Sequence, residues 1–381
     1  MNKISFDNSI KIGILGGGQL GRMLIQAAID LDLNISILDP DPNAPCRQLC
    51  NSFFQGSFND YDSVLAFGKE LDLISIEIES VNIQALKDLR KMGKKIFPQP
   101  EIIELIQDKR TQKQFYLDNN IPTADFVLTE SKKHTSTFGN FLPAFHKLGK
   151  GGYDGKGVQS ISKESEFHLA FDEPGLLEKR VEYEKEISVI VARNEKGEIS
   201  SFPVVEMVFD PVYNLVDYLI SPASISTEKE KEAIEIAKKV IDKLEMVGIL
   251  AVEMFLTKDN QILVNEIAPR PHNSGHHTIK ANVTSQYEQH LRAILGLPFG
   301  STKAHKLSAM VNVLGTAGYE GNAKYVGLQE VLKQDGVHIH LYGKKRTKPS
   351  RKMGHIIIMD DDMNSLQQKV KFVKDIIEVI A

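Results

Sequence analysis

Short apolar runs alternate with amphipathic stretches through the N-terminal quarter of the chain. The runs KIGIL, NISILD, LDLISIEI and KKIF are separated by segments with apolar residues at helical spacing, of which QLGRMLIQAAIDL is the clearest. Alternation of this kind is typical of parallel strands joined by crossover helices. The pattern therefore predicts an N-terminal, doubly wound α/β domain with a parallel sheet.

The pattern changes further along the chain. The segment PQPEIIELIQDKRTQKQFYLDNNIP predicts one helix bounded by prolines, which leads into a second domain. Short strands with glycine-rich or charged turns follow, together with an amphipathic helix in STEKEKEAIEIAKKVIDKLEM, as in α+β domains. The C-terminal part has the strands AMVNVLG, HIHLYG and HIIIMD and ends in the helical segment MNSLQQKVKFVKDIIEVIA. We predict three domains, at 1–104, 105–300 and 301–381, of which the last is a small β-rich module.

Composition narrows the class of protein. The chain has 381 residues, 42% of them hydrophobic and 25% charged, with a net charge of -4. This length suits two or three domains, and the mixed charge favours neither general nucleic-acid binding nor membrane binding. No segment resembles a signal peptide or a membrane span, so we expect a cytoplasmic protein. Cys46 and Cys50 are too few for a disulfide framework and lack a second pair of zinc ligands.

A first glycine-rich segment, GILGGGQLGRM, lies between the first predicted strand and helix. Gly16, Gly18 and Gly21 have the G-x-G-x-x-G spacing that lets backbone N–H groups approach a phosphate at a helix N-terminus. Asp39 ends the second strand, where a dinucleotide-binding fold has its ribose-binding acid. Three interpretations follow: an NAD site, a site for another phosphate, or a turn that only packs the helix on the sheet.

A second glycine-rich segment, KLGKGGYDGKGV, lies between the predicted strands PAFHK and GVQSI. Its glycines and lysines are typical of a flexible lid that binds a polyphosphate through backbone N–H groups and lysine charge. The alternative is a solvated hairpin tip.

Two acidic residues are predicted to face each other on neighbouring strands. GILAVEMFLT and QILVNEIAP have the pattern of a hairpin with a two-residue turn at Asp259 and Asn260, and this register pairs Glu253 with Glu266. Facing carboxylates repel unless a charge neutralises them, and hard oxygen ligands favour Mg²⁺. A lid and a magnesium site together indicate ATP, and a ligase or kinase without a P-loop. Two unrelated surface acids are the alternative.

The segment NEIAPRPHNSGHHT continues the second of these strands and has two interpretations. It could form a catalytic rim at the strand end, or a zinc site made by His272, His276 and His277. The zinc interpretation lacks a fourth ligand at a suitable spacing. For His276 and His277, packing or hydrogen bonding to neighbouring groups is the simpler role.

These motifs together resemble the ATP-grasp superfamily and, within it, the N5-carboxyaminoimidazole ribonucleotide synthase family. The similarity covers almost the whole chain and rests on GILGGGQLGRM, DPDPNAPC, GGYDGKG, EISVIVAR, NEIAPRPHNSGHHT and RKMGH, in that order. It implies that ATP phosphorylates bicarbonate to carboxyphosphate. The amine of 5-aminoimidazole ribonucleotide then takes up the carboxyl group, without biotin. A homodimer is also implied.

The resemblance assigns one group of residues to ATP and Mg²⁺. Glu253 and Glu266 would hold Mg²⁺, and Lys109 and Lys147 would contact the ATP phosphates. The lid would be formed by 152–158. The residues implied for ATP are Lys109, Lys147, Gly152, Tyr153, Asp154, Gly155, Lys156, Gly157, Val158, Glu178, Lys179, Val181, Glu186, Asn265 and Glu266.

A second group is implied for the other substrates. Arg270 and His272 would act on bicarbonate and carboxyphosphate, His272 could move the proton that the amine loses, and Lys352 would join them as a catalytic residue. Clustered Lys and Arg also suit a phosphomonoester. The residues implied for the ribonucleotide are Gln19, Leu20, Glu79, Tyr153, Asp154, Lys344, Arg351 and Lys352.

The chain also departs from the family pattern at several positions. Met207 and Phe209 stand where the family usually has asparagine and histidine, and Val158 where it has glutamine, so we expect a contact to ATP to be lost or supplied by another residue. The alternatives to a carboxylating enzyme are a formate-dependent glycinamide ribonucleotide transformylase, an NAD-binding oxidoreductase and a noncatalytic nucleotide-binding protein.

Overall fold

The N-terminal domain is a five-stranded parallel sheet with helices on both faces. The structure is a computed structural model and describes residues 6–152, 157–209 and 216–381. The sheet order β3-β2-β1-β4-β5 is that of a doubly wound fold, as predicted. Its elements are β1 Lys11–Leu15, α1 Gln19–Ile29, β2 Asn34–Asp39, β3 Ser52–Gln55, α2 Tyr61–Gly68, β4 Leu73–Ile76, α3 Ile83–Lys91 and β5 Lys95–Ile96.

The predicted single helix after this domain is wrong, because it is two helices, α4 Pro100–Gln107 and α5 Lys109–Asp118. Between them, Asp108 has an extended backbone, and its carboxylate accepts a hydrogen bond from the N–H of Arg110 at 3.0 Å. Asp108 is therefore the N-cap of α5. The break places Lys109 in the first turn of α5.

A four-stranded antiparallel sheet of order β6-β9-β7-β8 forms the lid part of the central region. It is followed by helices and strands of a larger sheet. The lid elements are β6 Phe126–Thr129, α6 Lys132–Thr135, β7 Ala144–Leu148, β8 Val158–Ile161 and β9 Gly175–Lys179, with 3₁₀ turns at Gly139–Phe141 and Glu164–Leu169. The elements that follow are β10 Tyr183–Arg193, β11 Ile199–Ser201, β12 Val205–Phe209, β13 Val216–Ser221, α7 Thr227–Lys243, β14 Gly248–Thr257, β15 Ile262–Ala268, α8 Thr278–Ala281 and α9 Gln286–Ile294, with a 3₁₀ turn at Asn273–Gly275.

The larger sheet continues without interruption into the C-terminal part of the chain. Its order is β15-β14-β10-β12-β13-β16-β21-β19, with β11 paired to β10. The C-terminal elements are β16 Leu307–Leu314, β17 Gly321–Asn322, β18 Lys324–Val326, α10 Leu328–Leu332, β19 Val337–Leu341, β20 Arg346–Thr347, β21 Lys352–Asp360, α11 Met363–Ile376 and β22 Glu378–Ile380. The predicted last helix is thus too long, because its end pairs as β22 with β18.

Separate apolar cores lie on the faces of these sheets. Helix α7 contributes Ala233, Ala237 and Val240 to the core of the central sheet, at the helical spacing seen in the sequence. A second core joins α1 to α9 through Met23 and Leu291. The N-terminal domain is thereby packed against the region that follows β15. In the described part of the chain, no helix has the length and apolar character needed to cross a membrane.

Candidate active site

The pair of acidic residues is present, but the turn that was predicted to align them is wrong. Glu253 on β14 lies directly opposite Glu266 on β15. Near the turn, however, Leu256 pairs with Ile262, which corresponds to a three-residue loop. Asn260 ends this loop with a positive φ of 63°, as in a type I turn followed by a left-handed residue.

A β-bulge restores the predicted pairing of the acids. Met254 pairs with Val264, and the next pair is Glu253 with Glu266, so Asn265 is the additional residue on β15. The side-chain oxygen of Asn265 lies 3.3 Å from Nζ of Lys147 in the lid. The bulge therefore presents three oxygen-bearing side chains, Glu253, Asn265 and Glu266, at one end of the strand pair.

Lys109 forms an ion pair with Glu266 rather than with Glu253. Its Nζ lies 2.8 Å from Oε2 of Glu266, while its backbone N–H donates to the carbonyl of Gly149 at 2.8 Å. The charge of Lys109 holds the pKa of Glu266 below its ordinary value. By contrast, burial and the neighbouring Glu266 raise the pKa of Glu253. Burial likewise raises the pKa of Glu186, which lies on β10 beside this pair. Glu253 is therefore a buried carboxylate directly opposite a second carboxylate, an arrangement that suits a bound cation.

His272 is held in one orientation and is neutral near pH 7. Its Nδ1 accepts a hydrogen bond from the N–H of Ser274 at 3.3 Å, and its Nε2 lies 3.4 Å from Oε1 of Glu253. This pattern assigns the ring proton to Nε2. Burial, with the charges of Arg270 and Lys352, lowers the pKa of His272 to about 3. The arrangement favours His272 as a hydrogen-bond donor rather than a proton acceptor.

Arg270 connects the strand end to the N-terminal domain. Its Nη2 lies 2.8 Å from Oε1 of Glu79, and its Nη1 donates to the carbonyl of Pro271 at 3.1 Å. Glu79 follows β4, at the carboxyl end of the parallel sheet, where α/β domains bind ligands. Arg270 thus lies between a residue predicted for the ribonucleotide and the pair of acidic residues.

Of the residues predicted for ATP, Lys147 and Glu178 lie in the lid sheet, where Lys147 contacts Asn265 of β15. Nζ of Lys147 is 2.6 Å from one carboxylate oxygen of Glu178, and Nζ of Lys113 is 2.5 Å from the other. Burial acts to raise the pKa of Glu178, but the two lysines outweigh it and hold the pKa below its ordinary value. Lys179 is the exposed end of β9, and Val181 lies in the connection to β10.

The tip of the lid is described only in part. Lys147 pairs with Val158 across the β7–β8 hairpin, and the N–H of Leu148 donates to the carbonyl of Gly157 at 2.9 Å. Gly157 has a φ of 77°, which glycine adopts without strain. Gly152 precedes the tip, and the predicted residues Tyr153, Asp154, Gly155 and Lys156 lie outside the described residues.

The first glycine-rich loop is occupied by two carboxylates of the chain itself. Glu77 accepts hydrogen bonds from the N–H groups of Gly18 at 2.6 Å and Gly21 at 2.7 Å, at the N-terminus of α1. Asp39 accepts the N–H of Gly17 at 2.7 Å. A Cβ added to Gly18 would lie 2.6 Å from Oε1 of Glu77.

These contacts overturn the NAD interpretation. The N–H groups that a pyrophosphate would need donate to Glu77. Asp39, which the sequence suggested as a ribose-binding acid, accepts a hydrogen bond from Gly17 in the same loop. The glycines provide room for Glu77 rather than for a dinucleotide.

The basic residues of the C-terminal part are placed at the start of β21 and just before it. Lys352 is the first residue of β21, and its positive charge contributes to lowering the pKa of His272. Nζ of Lys344 donates to the carbonyl of Lys352 at 2.7 Å, and Arg351 donates to the carbonyl of Arg346 at 2.8 Å. Gln19 and Leu20 begin α1 at the first glycine-rich loop. Leu20 is buried.

His272, His276 and His277 do not converge on a common point. His276 is fully buried, and its ring stacks on that of His355 with 4.6 Å between the ring centres. A 2.9 Å hydrogen bond joins its Nδ1 to the hydroxyl of Tyr287. His277 is buried separately. Within the described ranges, no three His, Cys, Asp or Glu residues form a group that could hold a metal ion. Packing accounts for His276 and His277.

Two residues in this region were not predicted from the sequence. Lys113 follows Lys109 by four positions in α5, which places both on one face of the helix, and this spacing could have revealed it. Glu77 is the first residue after β4 and precedes Glu79 by two positions, at the carboxyl end of the parallel sheet. The hydrogen-bond partners of Glu77 could not be predicted from the sequence, because they are backbone N–H groups of a loop rather than side chains.

Family models match most of the chain. The ATP-grasp domain matches residues 114–287, the ribonucleotide synthetase preATP-grasp domain matches 9–107, and the phosphoribosylaminoimidazole carboxylase C-terminal domain matches 308–369. The chain also spans 66% of the length of the phosphoribosylaminoimidazole carboxylase of Vigna aconitifolia, to which it is 37% identical over 95% of its own length.

Other relatives match from end to end. The N5-carboxyaminoimidazole ribonucleotide synthase of Bacillus subtilis is 37% identical, over 94% of each chain. The crystal structure of the N5-carboxyaminoimidazole ribonucleotide synthetase of Thermotoga maritima has 44% identity and a TM-score of 0.90, covering 98% of this chain and 99% of that one. The Aspergillus clavatus enzyme, solved with ADP and 5-aminoimidazole ribonucleotide, has 32% identity and a TM-score of 0.88, over 97% of this chain and 98% of that one. The chain therefore belongs to the N5-carboxyaminoimidazole ribonucleotide synthase family of the ATP-grasp superfamily.

Proposed function

We propose that the protein carboxylates 5-aminoimidazole ribonucleotide with bicarbonate, at the expense of ATP, to give N5-carboxyaminoimidazole ribonucleotide, ADP and phosphate in purine biosynthesis. One observation carries this proposal: the facing acids Glu253 and Glu266 lie on the strand pair that leads directly to Arg270 and His272. A nucleotide–metal site and an anion site are thereby adjacent. The complex of the Aspergillus clavatus relative with ADP and 5-aminoimidazole ribonucleotide supports the choice of substrates.

The donors at the strand end fit Mg²⁺. Glu253, Glu266 and Asn265 offer hard oxygen atoms. Burial and, after it, the neighbouring Glu266 raise the pKa of Glu253, and a divalent cation would relieve the repulsion between the two carboxylates. Bound there, Mg²⁺ would withdraw charge from the ATP phosphates. Lys109 and Lys147 would bind the phosphates themselves, with the lid closing over them. Glu178, Lys179, Val181 and Glu186 would surround the nucleoside.

In the first step, a bicarbonate oxygen attacks the γ-phosphorus of ATP while the bond to the β-phosphate oxygen breaks. ADP leaves, and the new P–O bond gives carboxyphosphate. Arg270, with two donors in a fixed geometry, would hold the planar anion, and its charge would stabilise the transition state. The Nε2–H of His272 would donate to the same anion in place of Glu253.

In the second step, the amine nitrogen attacks the carboxyl carbon, and the C–O bond to phosphate breaks. Two groups could accept the proton released by the amine. Neutral His272, with a pKa of about 3, is a weak base, whereas the departing phosphate is a strong one, so we assign the proton to the phosphate. Lys344, Arg351 and Lys352 would bind the ribonucleotide phosphate, and Gln19, Leu20 and Glu79 the rest of that substrate. From the family resemblance, we also expect Tyr153 and Asp154 to contact this substrate.

The test is phosphate release from ATP and Mg²⁺, with bicarbonate and 5-aminoimidazole ribonucleotide added separately and together. We expect product formation only with both substrates. Turnover with formate and glycinamide ribonucleotide instead would indicate the related transformylase. Absence of turnover that depends on 5-aminoimidazole ribonucleotide would refute the proposal. We also propose, from the family resemblance, a cytoplasmic homodimer without biotin, and sedimentation of the purified chain tests the dimer.

A further inference from the structure

Lys113 is a buried cation close to the nucleotide side of the cleft, and none of the roles above uses it. Only 4% of its side chain is exposed, and the same fraction applies to its partner Glu178. Its Nζ lies 2.5 Å from Oε2 of Glu178 and donates to Oγ1 of Thr123 at 2.5 Å. A lysine buried this deeply is costly unless its charge is compensated. The buried charge of Lys113 must therefore serve either the function of the site or the stability of the structure.

Polar contacts around Lys113 form a closed ring through three parts of the fold. Thr123 donates to the carbonyl of Val264 on β15 at 2.7 Å. Glu178 connects Lys113 to Lys147 in the lid, and Lys147 reaches the side-chain oxygen of Asn265, the bulged residue that follows Val264. The ring thus ties α5, the lid sheet and the bulge beside the pair of acids.

The charges in this ring are unequal. Two lysine charges share the single carboxylate of Glu178, so either lysine can leave without exposing that carboxylate unpaired. Lys147 is the more accessible one, with 15% of its side chain exposed against 4% for Lys113. A phosphate that approaches through the cleft therefore meets Lys147, while Lys113 stays with Glu178.

We propose that Lys113 is a positioning residue for nucleotide binding: by remaining paired with Glu178, it frees Lys147 to bind an ATP phosphate. Without Lys113, Glu178 would have Lys147 as its one cationic partner, and the phosphate would have to compete with a buried carboxylate for it. Breaking a buried pair by removing one partner is strongly unfavourable. The inference rests on the proposed contact between Lys147 and ATP, but not on the identity of the carboxylated substrate.

The test measures ADP affinity by titration calorimetry with Mg²⁺, using the full chain. We expect Lys113→Met to weaken ADP binding by about tenfold or more, as is typical for competition with a buried ion pair. In a Glu178→Gln background the competing carboxylate is absent, so adding Lys113→Met should leave the ADP affinity within about twofold of that of Glu178→Gln alone. The KM for 5-aminoimidazole ribonucleotide should hardly change in either variant.

The matched control is Lys369→Met, which removes a partly buried lysine paired with Asp360 at 2.8 Å in the C-terminal module. It should leave ADP affinity unchanged. Equal loss of affinity on Lys113→Met with and without the Glu178 carboxylate would show a merely structural role and overturn the proposal. If the single variant does not fold, the comparison of Glu178→Gln with the double variant decides the question, because the double variant lacks both members of the most deeply buried ion pair. The variants could show the expected ADP affinities while the protein fails to carboxylate 5-aminoimidazole ribonucleotide. That result would refute the proposed function but leave this inference intact.

Discussion

Glu253 and Glu266 occupy facing positions but have different neighbours, and this difference defines their chemistry. Glu266 has Lys109 at 2.8 Å, whereas Glu253 has the neutral ring of His272 at 3.4 Å. One acid is therefore ionised in the free protein, while the other binds a proton more tightly than an ordinary glutamate. The sequence predicted the residues themselves, but not this asymmetry, because Lys109 reaches Glu266 only through the break between α4 and α5.

Proton release should accompany the binding of nucleotide with Mg²⁺. Because the pKa of Glu253 is raised, part of the free protein has this carboxyl protonated near neutral pH, and a metal ligand must lose its proton. We expect release of up to about one proton, and an affinity for Mg²⁺ with ADP that rises with pH. Calorimetry in two buffers of different ionisation enthalpy measures it. Glu253→Gln should abolish the release, and an unchanged proton count in that variant would contradict the assignment.

Glu266→Gln and Arg270→Ala should fail at different stages. Glu266→Gln removes a metal oxygen and the partner of Lys109, so we expect turnover to fall below detection together with a loss of affinity for Mg²⁺ and ADP. Arg270→Ala should keep ADP affinity within about twofold while carboxylation falls by roughly a hundredfold or more, as for loss of a transition-state contact. Steady-state kinetics and calorimetry separate the two. Equal losses of ADP affinity would contradict this division of roles.

At the scale of elements, irregularities determine the site. The alternation of apolar residues in β14 and β15 predicted both strands and their antiparallel pairing. The three-residue turn ending at Asn260 and the bulge at Asn265 each shift the register by one residue, and the two shifts cancel at Glu253. Such compensation depends on the surroundings of Asn265, including its contact with Lys147, and local sequence patterns do not contain it. The break between α4 and α5 at Asp108 is likewise an irregularity that the apolar pattern does not reveal.

Gly18→Ala tests whether the first glycine-rich loop is shaped by Glu77. The added Cβ would lie 2.6 Å from Oε1 of Glu77 and would displace the carboxylate that caps α1. We expect the KM for 5-aminoimidazole ribonucleotide to rise by about tenfold, because Gln19 and Leu20 move, while ADP affinity stays the same. Gln26→Ala, at an exposed position of the same helix, is the control. A larger effect on ADP than on the ribonucleotide would favour a nucleotide-binding loop after all.

At the scale of the whole molecule, one sheet links the nucleotide side to the C-terminal part. The strand path runs from β15 to β19, and the segment after β15 returns to β21, where His276 stacks on His355. Sequence patterns predicted the N-terminal fold and the character of the other parts, because apolar periodicity reports local elements. They could not predict that the sheet continues into the last part, since pairing of β13 with β16 joins segments far apart in sequence.

Buried histidines should make the fold sensitive to acid. Burial lowers the pKa of His277 and that of His290 to about 4, whereas an unfolded chain binds these protons near pH 6.5. Their neutral forms therefore contribute stability that is complete above the unfolded pKa and is lost as pH falls from there towards about 4. At about pH 5.5 each should cost about 1.2 kcal/mol relative to pH 7. Denaturant unfolding at several pH values measures this, and His277→Leu should show a shallower loss; an identical slope would contradict the account.

Transfer of oxygen from bicarbonate to phosphate tests the central claim most directly. In the proposed sequence a bicarbonate oxygen bonds to the γ-phosphorus and leaves with the phosphate when the amine takes the carboxyl group. With ¹⁸O-labelled bicarbonate, ATP, Mg²⁺ and 5-aminoimidazole ribonucleotide, measured before the label exchanges with water, mass spectrometry should find one ¹⁸O atom in each phosphate and the remaining label in the carboxylated product. Phosphate without ¹⁸O, formed together with that product, would contradict a route through carboxyphosphate.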